Sequence, residues 1–162
     1  MGREERRRAQ IRPHVLIVSD DPSLVEFLDE GLTLAGFWTS VIASGLQTLE
    51  VFRLRRFDIV LIDAQLSGFD SLELVRRLRG TSDRASGDGP RSDAPIILVY
   101  DTDTESDPVK NNVDLPDVDL KLHAPLELED VAQQLHRLFS LWRDAHPDTP
   151  LADDALLTPA PR

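Results

Sequence analysis

The 162-residue chain has room for one domain with tails, and its 41% hydrophobic content excludes global disorder. It contains no cysteine, which excludes disulfides and thiolate metal sites, and no apolar run reaches the ~18 residues needed to span a bilayer. The net charge of −11 argues against a general nucleic-acid surface, because phosphates would be repelled.

The N-terminus lacks the apolar core of a signal peptide, so a cytoplasmic location is expected. Residues 1–12 form a basic arm, with Arg3, Arg6, Arg7, Arg8 and Arg12 against only Glu4 and Glu5. The arm reads as disordered, either simply solvated or touching an anionic partner. The domain proper is expected over residues 13–142. His14 to Val18 is a buried-strand run that ends at Ser19-Asp20-Asp21-Pro22. Asp21 followed by Pro22 is a helix start, with an N-cap acceptor and proline at the first helical position. Leu24, Leu28, Leu32 and Ala35 recur at helical spacing up to Gly36. Phe37 to Ala43 reads as a second strand. Gly45 to Arg56 reads as an amphipathic helix, with Leu46, Leu49 and Phe52 inward and Arg53, Arg55 and Arg56 outward.

Ile59 to Ile62 is too short a run for a helix and too apolar for a strand wetted on one face. It fits a central parallel strand covered on both sides, and it ends in a carboxylate, Asp63. A short helix follows, capped by Asp70 or Ser71. Gly80 to Ala94 reads as a long loop, and Pro95 to Tyr100 as the fourth strand. Pro108, Asn111-Asn112 and Pro116 resist a helix between Asp101 and Asp119, so the fourth helix is expected to be degenerate. Leu120 to Leu122 is a fifth strand, and Glu127 to Trp142 is a helix with acids in its first turn. Residues 143–162, with four prolines, read as a disordered tail in which Leu151 to Leu157 is either spacer or a docking peptide.

Strands alternating with helices give an α/β, doubly wound, five-stranded parallel sheet. The order 2-1-3-4-5 brings Asp20, Asp21 and Asp63 to the carboxyl edge, where such sheets do their chemistry. Converging carboxylates repel unless a cation offsets them, and an all-oxygen donor set suits Mg²⁺. Otherwise Asp20 and Asp21 merely cap a helix and Asp63 ends a strand.

Ser19-Asp20-Asp21-Pro22, then Asp58 to Asp63 followed by Gly68 and Asp70, resembles the receiver domain of two-component response regulators, which has a flavodoxin-like fold. The resemblance runs from about His14 to Trp142. It implies Asp63 as phospho-acceptor, Asp21 as direct Mg²⁺ ligand, and Asp20 as an acid acting through water. It also implies Gln65 as the source of a metal-binding backbone carbonyl and Pro125 as a cis-proline after strand five. The departures are Tyr100 where receivers carry Ser or Thr, Ala124 where they carry Lys, and Ser67 in place of a proline. Lys121 and His123 alternate away from Ala124 and do not replace the lysine; Thr102 supplies the hydroxyl only if the loop register slips by two. Each lost contact to a developing phosphoryl charge costs on the order of 2–4 kcal/mol.

The expected function is therefore an atypical receiver acting by protein contacts, with a metal pocket and weakened phosphorylation at Asp63. About 20 residues follow Trp142, too few for an output domain, so a stand-alone receiver is expected. Its partner would be a protein, such as a histidine kinase or a downstream signalling protein, with homodimerisation through the face of the fourth and fifth helices. That face would include Lys121, His136, Phe139 and Trp142, with core packing as the other reading of Phe139 and Trp142. Two alternatives stand beside it: an active phosphate shuttle or sink on Asp63, and a non-catalytic scaffold. Neither nucleotide-binding motifs nor a nucleophile elbow support an enzyme.

Overall fold

Three aliphatic runs, HVLIV, IVLID and IILVY, form the middle of the sheet, and every residue in them is buried. The computed structural model describes residues 12–82, 91–100 and 117–152. The strands are β1 (His14–Val18), β2 (Trp38–Ile42), β3 (Ile59–Asp63), β4 (Ile96–Tyr100) and β5 (Leu120–His123). All pairings are parallel and the order is β2-β1-β3-β4-β5. Among the described residues the helices are α1 (Pro22–Leu34), α2 (Gly45–Phe52), α3 (Ser71–Arg79) and α4 (Leu128–Ala145). The doubly wound fold expected from the sequence is the one observed. The degenerate helix expected before β5 falls on residues 101–116, outside the described residues, as do most of the basic arm and residues 153–162.

Alternation along the strands separates two cores. Val15, Ile17, Ile59, Leu61, Ile97 and Val99 face α1 and α4. Leu16, Val18, Val60, Ile62, Ile96 and Leu98 face α2 and α3. Each fully buried aliphatic side chain contributes about 1.5–3 kcal/mol relative to exposure. Asp21 caps α1, its side chain accepting from Ser23 N, and Pro22 follows. Asp70 caps α3, and Gly80 ends that helix at φ 75°, a left-handed conformation that disfavours a Cβ. α1 and α4 approach closely at Gly31, where an added Cβ would collide with the Leu128 side chain.

Several expectations about side-chain direction need correction. α2 stops at Phe52, because the chain must turn to bring Phe57, only 3% exposed, into the core. Leu46, expected inward, is 61% exposed, while buried Thr48 takes the inward position. Arg55, expected outward, is half-buried, with its guanidinium 4.5 Å from the Phe57 ring centroid. α4 continues to Ala145, and the chain beyond it returns to the domain, so ordered structure passes the expected boundary at Trp142. No helix among the described residues is long and apolar enough to cross a membrane.

Candidate functional site

Asp63 ends the central strand at the carboxyl edge and is 6% exposed. Its Oδ1 accepts from Gln65 N at 2.9 Å, which folds the following turn back over the carboxylate. Its Oδ2 accepts from Ser19 Oγ at 2.7 Å. The backbone carbonyl of Asp63 is held by Ser71 Oγ at 2.8 Å, tying the first residue of α3 to the strand end. Gly68, at φ 76°, lets the intervening loop turn toward Asp70.

Ser19 is the residue that motif reading passed over. β1 and β3 pair in parallel with Val18 level with Ile62, so the next residue, Ser19, stands level with Asp63. Counting register from the aliphatic runs would have found it. Ser19 is 1% exposed, and its Oγ also accepts from Asp21 N at 3.1 Å. The anticipated convergence of three carboxylates does not occur. Asp21 directs its carboxylate to the Ser23 amide at 3.0 Å as a helix cap. Asp20 is exposed, and its Oδ2 accepts a hydrogen bond from Ser67 Oγ.

That hydroxyl holds the Asp20 carboxyl below the usual carboxylate range, against a smaller opposing effect of desolvation. A depressed carboxylate stabilises the fold above its unfolded value, and the contribution is lost as pH falls through the folded value. Ser67→Ala is therefore expected to move the Asp20 titration upward, toward its ordinary range, as followed by carboxyl carbon NMR. An unchanged titration would show that Ser67 does not set it.

The donor set is all oxygen, the type that suits Mg²⁺. Among the described residues no group of three or more His, Cys, Asp or Glu side chains is placed to hold a metal ion by side chains alone, and Mg²⁺ needs only one or two carboxylates, completing its shell with waters and a carbonyl such as that of Gln65. The hydroxyls of Ser19 and Ser67 each donate to one oxygen, of Asp63 and Asp20 respectively, and leave further lone pairs on both carboxylates.

Tyr100 is 3% exposed and packs in the core beneath α2 and α3, with its ring stacked on His123 at 5.5 Å. Lys121 and His123 share that face through the register Leu98↔Lys121 and Tyr100↔His123. Ala124 N donates to Tyr100 O at 2.8 Å, and the Ala124–Pro125 bond is cis. Among the described residues no lysine or arginine pairs with Asp63.

The model of the family described as the response regulator receiver domain matches residues 15–113, well over half of the chain. The chain belongs to the response regulator receiver family. The DNA-binding response regulator MtrA of Mycolicibacterium smegmatis is 43% identical over 72 residues, covering 44% of this chain and 32% of that protein. The regulatory protein VirG of Agrobacterium fabrum is 31% identical over 98 residues, covering 60% of this chain and 35% of that protein. The chain thus spans about a third of the length of these curated relatives. Among solved structures, the receiver domain of the response regulator TorR is 31% identical, with a TM-score of 0.62 over 81% of this chain and 98% of that one. The receiver domain of the sensor histidine kinase PA1611 of Pseudomonas aeruginosa PAO1 is 19% identical, with a TM-score of 0.65 over 80% and 99%. That domain was crystallised with magnesium coordinated in its active-site cleft.

The receiver's expected docking face is also redrawn by the structure. Phe139 is 4% exposed and belongs to the core, as one of its two readings held. Trp142 packs against the same core and donates Nε1–H to Asp93 O at 2.7 Å. His136 stacks on Phe37 at 4.1 Å, and its Nε2 lies 3.0 Å from Ala35 O, on the α1 side of α4. Lys121 remains, on the rim of a cavity of about 370 Å³ shared with His123, Pro125, Glu127 and Asp130.

Proposed function

We propose that this receiver signals in the cytoplasm mainly through protein contacts and is a poor phosphate acceptor at Asp63. It is a signalling module and not an enzyme in this reading. The observation that supports it is the Ser19 hydroxyl on Asp63 Oδ2, with Gln65 N on Oδ1. Both oxygens accept a hydrogen bond, and the charge they share with these donors makes Asp63 a weaker nucleophile toward phosphorus. Tyr100 and Ala124 stand where the family carries a hydroxyl and a lysine toward the phosphoryl group. Each such loss costs on the order of 2–4 kcal/mol of transition-state stabilisation. The surface around Lys121 and His123 is the docking face this reading favours, for a protein partner or a second copy.

The second reading is phosphate acceptance from a histidine kinase. It is favoured by the position of Asp63 at the carboxyl end of the central strand, with its backbone fixed by Ser71. The two separate by intact mass after incubation with acetyl phosphate and Mg²⁺, beside Asp63→Ala. In a productive step Asp63 attacks phosphorus, acetate leaves, and the chain gains about 80 Da as an acyl phosphate. The expected result is little or no adduct in either protein. A stoichiometric adduct on the wild type that is absent from Asp63→Ala would establish the second reading instead.

A further inference from the structure

The pole of the sheet opposite Asp63 carries an arrangement that the acceptor site does not use. Asp58, immediately before β3, is 3% exposed, and a buried carboxylate is costly unless its oxygens are hydrogen-bonded. Asp58 Oδ2 accepts from His14 N at 2.8 Å, which fixes the start of β1. Asp58 Oδ1 accepts from Ala152 N at 3.0 Å, from a residue 94 positions away. Two residues before Asp58, Arg56 Nη2 donates to Pro150 O at 3.0 Å. Between these two backbone contacts Leu151 packs against the core beneath α1 and α4.

The segment is brought there by a defined turn after α4. His146 N bonds Arg143 O and Thr149 N bonds His146 O, each at 3.1 Å. The His146 ring stacks on Trp142 with centroids 4.2 Å apart. A donor for the first carbonyl, a core niche for the middle side chain and an acceptor for the third amide together read three residues of a chain. The backbone contacts are indifferent to side-chain identity, and the niche selects an apolar middle residue.

We propose that this pole is a peptide-binding cleft, read out by Arg56 and Asp58, with residues 150–152 of the same chain as its resident ligand. The ligand class is a short segment with leucine at its centre. Covalent attachment gives the resident segment a high effective concentration, so a free peptide enters only when the resident is weakened.

The test uses the full chain carrying Trp38→Phe, which leaves Trp142 as the one fluorophore beside the turn. Leu151→Asp is then added to eject the segment, and a synthetic peptide of residues 146–152 is titrated in. The expected results are an Ala152 amide protected from exchange in the parent and at least about tenfold faster in Leu151→Asp. The peptide should change Trp142 fluorescence saturably in Leu151→Asp and leave the parent unchanged. If Leu151→Asp fails to fold by circular dichroism, Ala152→Pro removes the amide donor to Asp58 and restricts the backbone there, and it is read by the Trp142 response to the peptide alone. An Ala152 amide exchanging at the unstructured rate in the parent, or a peptide without effect on the ejected variant at millimolar concentration, would overturn the cleft.

Discussion

Replacing Ser19 with aspartate is expected to destabilise the receiver by about 2 kcal/mol without divalent ions and to make its stability respond to Mg²⁺. Ser19 is 1% exposed and its Oγ lies 2.7 Å from Asp63 Oδ2. The substitution deletes a donor to a buried carboxylate and adds a like charge beside it. Two carboxylates in that position repel unless a cation bridges them, and Asp20 stands on the same loop to assist. Urea titrations with and without Mg²⁺ measure both effects. The neutral isostere Ser19→Asn separates charge from size: it is expected to lose some stability and to ignore Mg²⁺. Equal stability of Ser19→Asp with and without Mg²⁺ would show that no cation bridges residues 19 and 63.

Arg79→Ala is expected to cost on the order of 3 kcal/mol in a urea titration, among the larger losses available outside the two cores. One guanidinium ties the end of α3 to the entrances of two strands. Its Nε reaches Asp117 O at 3.1 Å, and its Nη1 reaches Ser92 O at 2.9 Å and Ala94 O at 2.6 Å. Its Nη2 reaches Asp119 Oδ2 at 2.7 Å, and that carboxylate also accepts from Ile96 N at 2.8 Å. The ion pair itself adds little, because the Asp119 side chain is 40% exposed. The carbonyl bonds carry the effect, since the Arg79 side chain is only 13% exposed and its loss leaves their acceptors short of a donor. Lysine lacks the planar fork, so Arg79→Lys is expected to recover less than half of the loss. A cost below about 0.5 kcal/mol for Arg79→Ala would mean that water replaces the guanidinium without penalty.

The sheet was legible because its signal is chemical and local: aliphatic runs of four or five residues bounded by turn signals fit strands buried on both faces, and their number and spacing leave few topologies. Asp63 was legible for the same reason, as the charge that ends the central run. Ser19 was not, because an acidic pair beside Pro22 draws the eye to side-chain type, whereas proximity to Asp63 is decided by register. Asp21 had two chemistries open to it, cap and ligand, and the structure shows the cap, made through one carboxylate oxygen on the Ser23 amide. Leu46 and Arg55 were misread because α2 is too short for helical periodicity to settle its inner face. The segment around Leu151 was hidden by its prolines, which suggest disorder, while its anchor, Asp58, lies 94 positions away.

The three central strands have a consequence for any unfolding experiment. Buried, they are the core; opened, they are three β-prone stretches with hardly a charge among them, able to pair between molecules. Association then competes with refolding, so a heating midpoint would drift with scan rate and protein concentration. The net charge of −11 holds opened chains apart at neutral pH, and that protection vanishes near the isoelectric point of about 4.7 and under salt screening. Urea at neutral pH and low ionic strength keeps the opened chains dispersed, and under those conditions the balance between folded and unfolded forms is a reversible one.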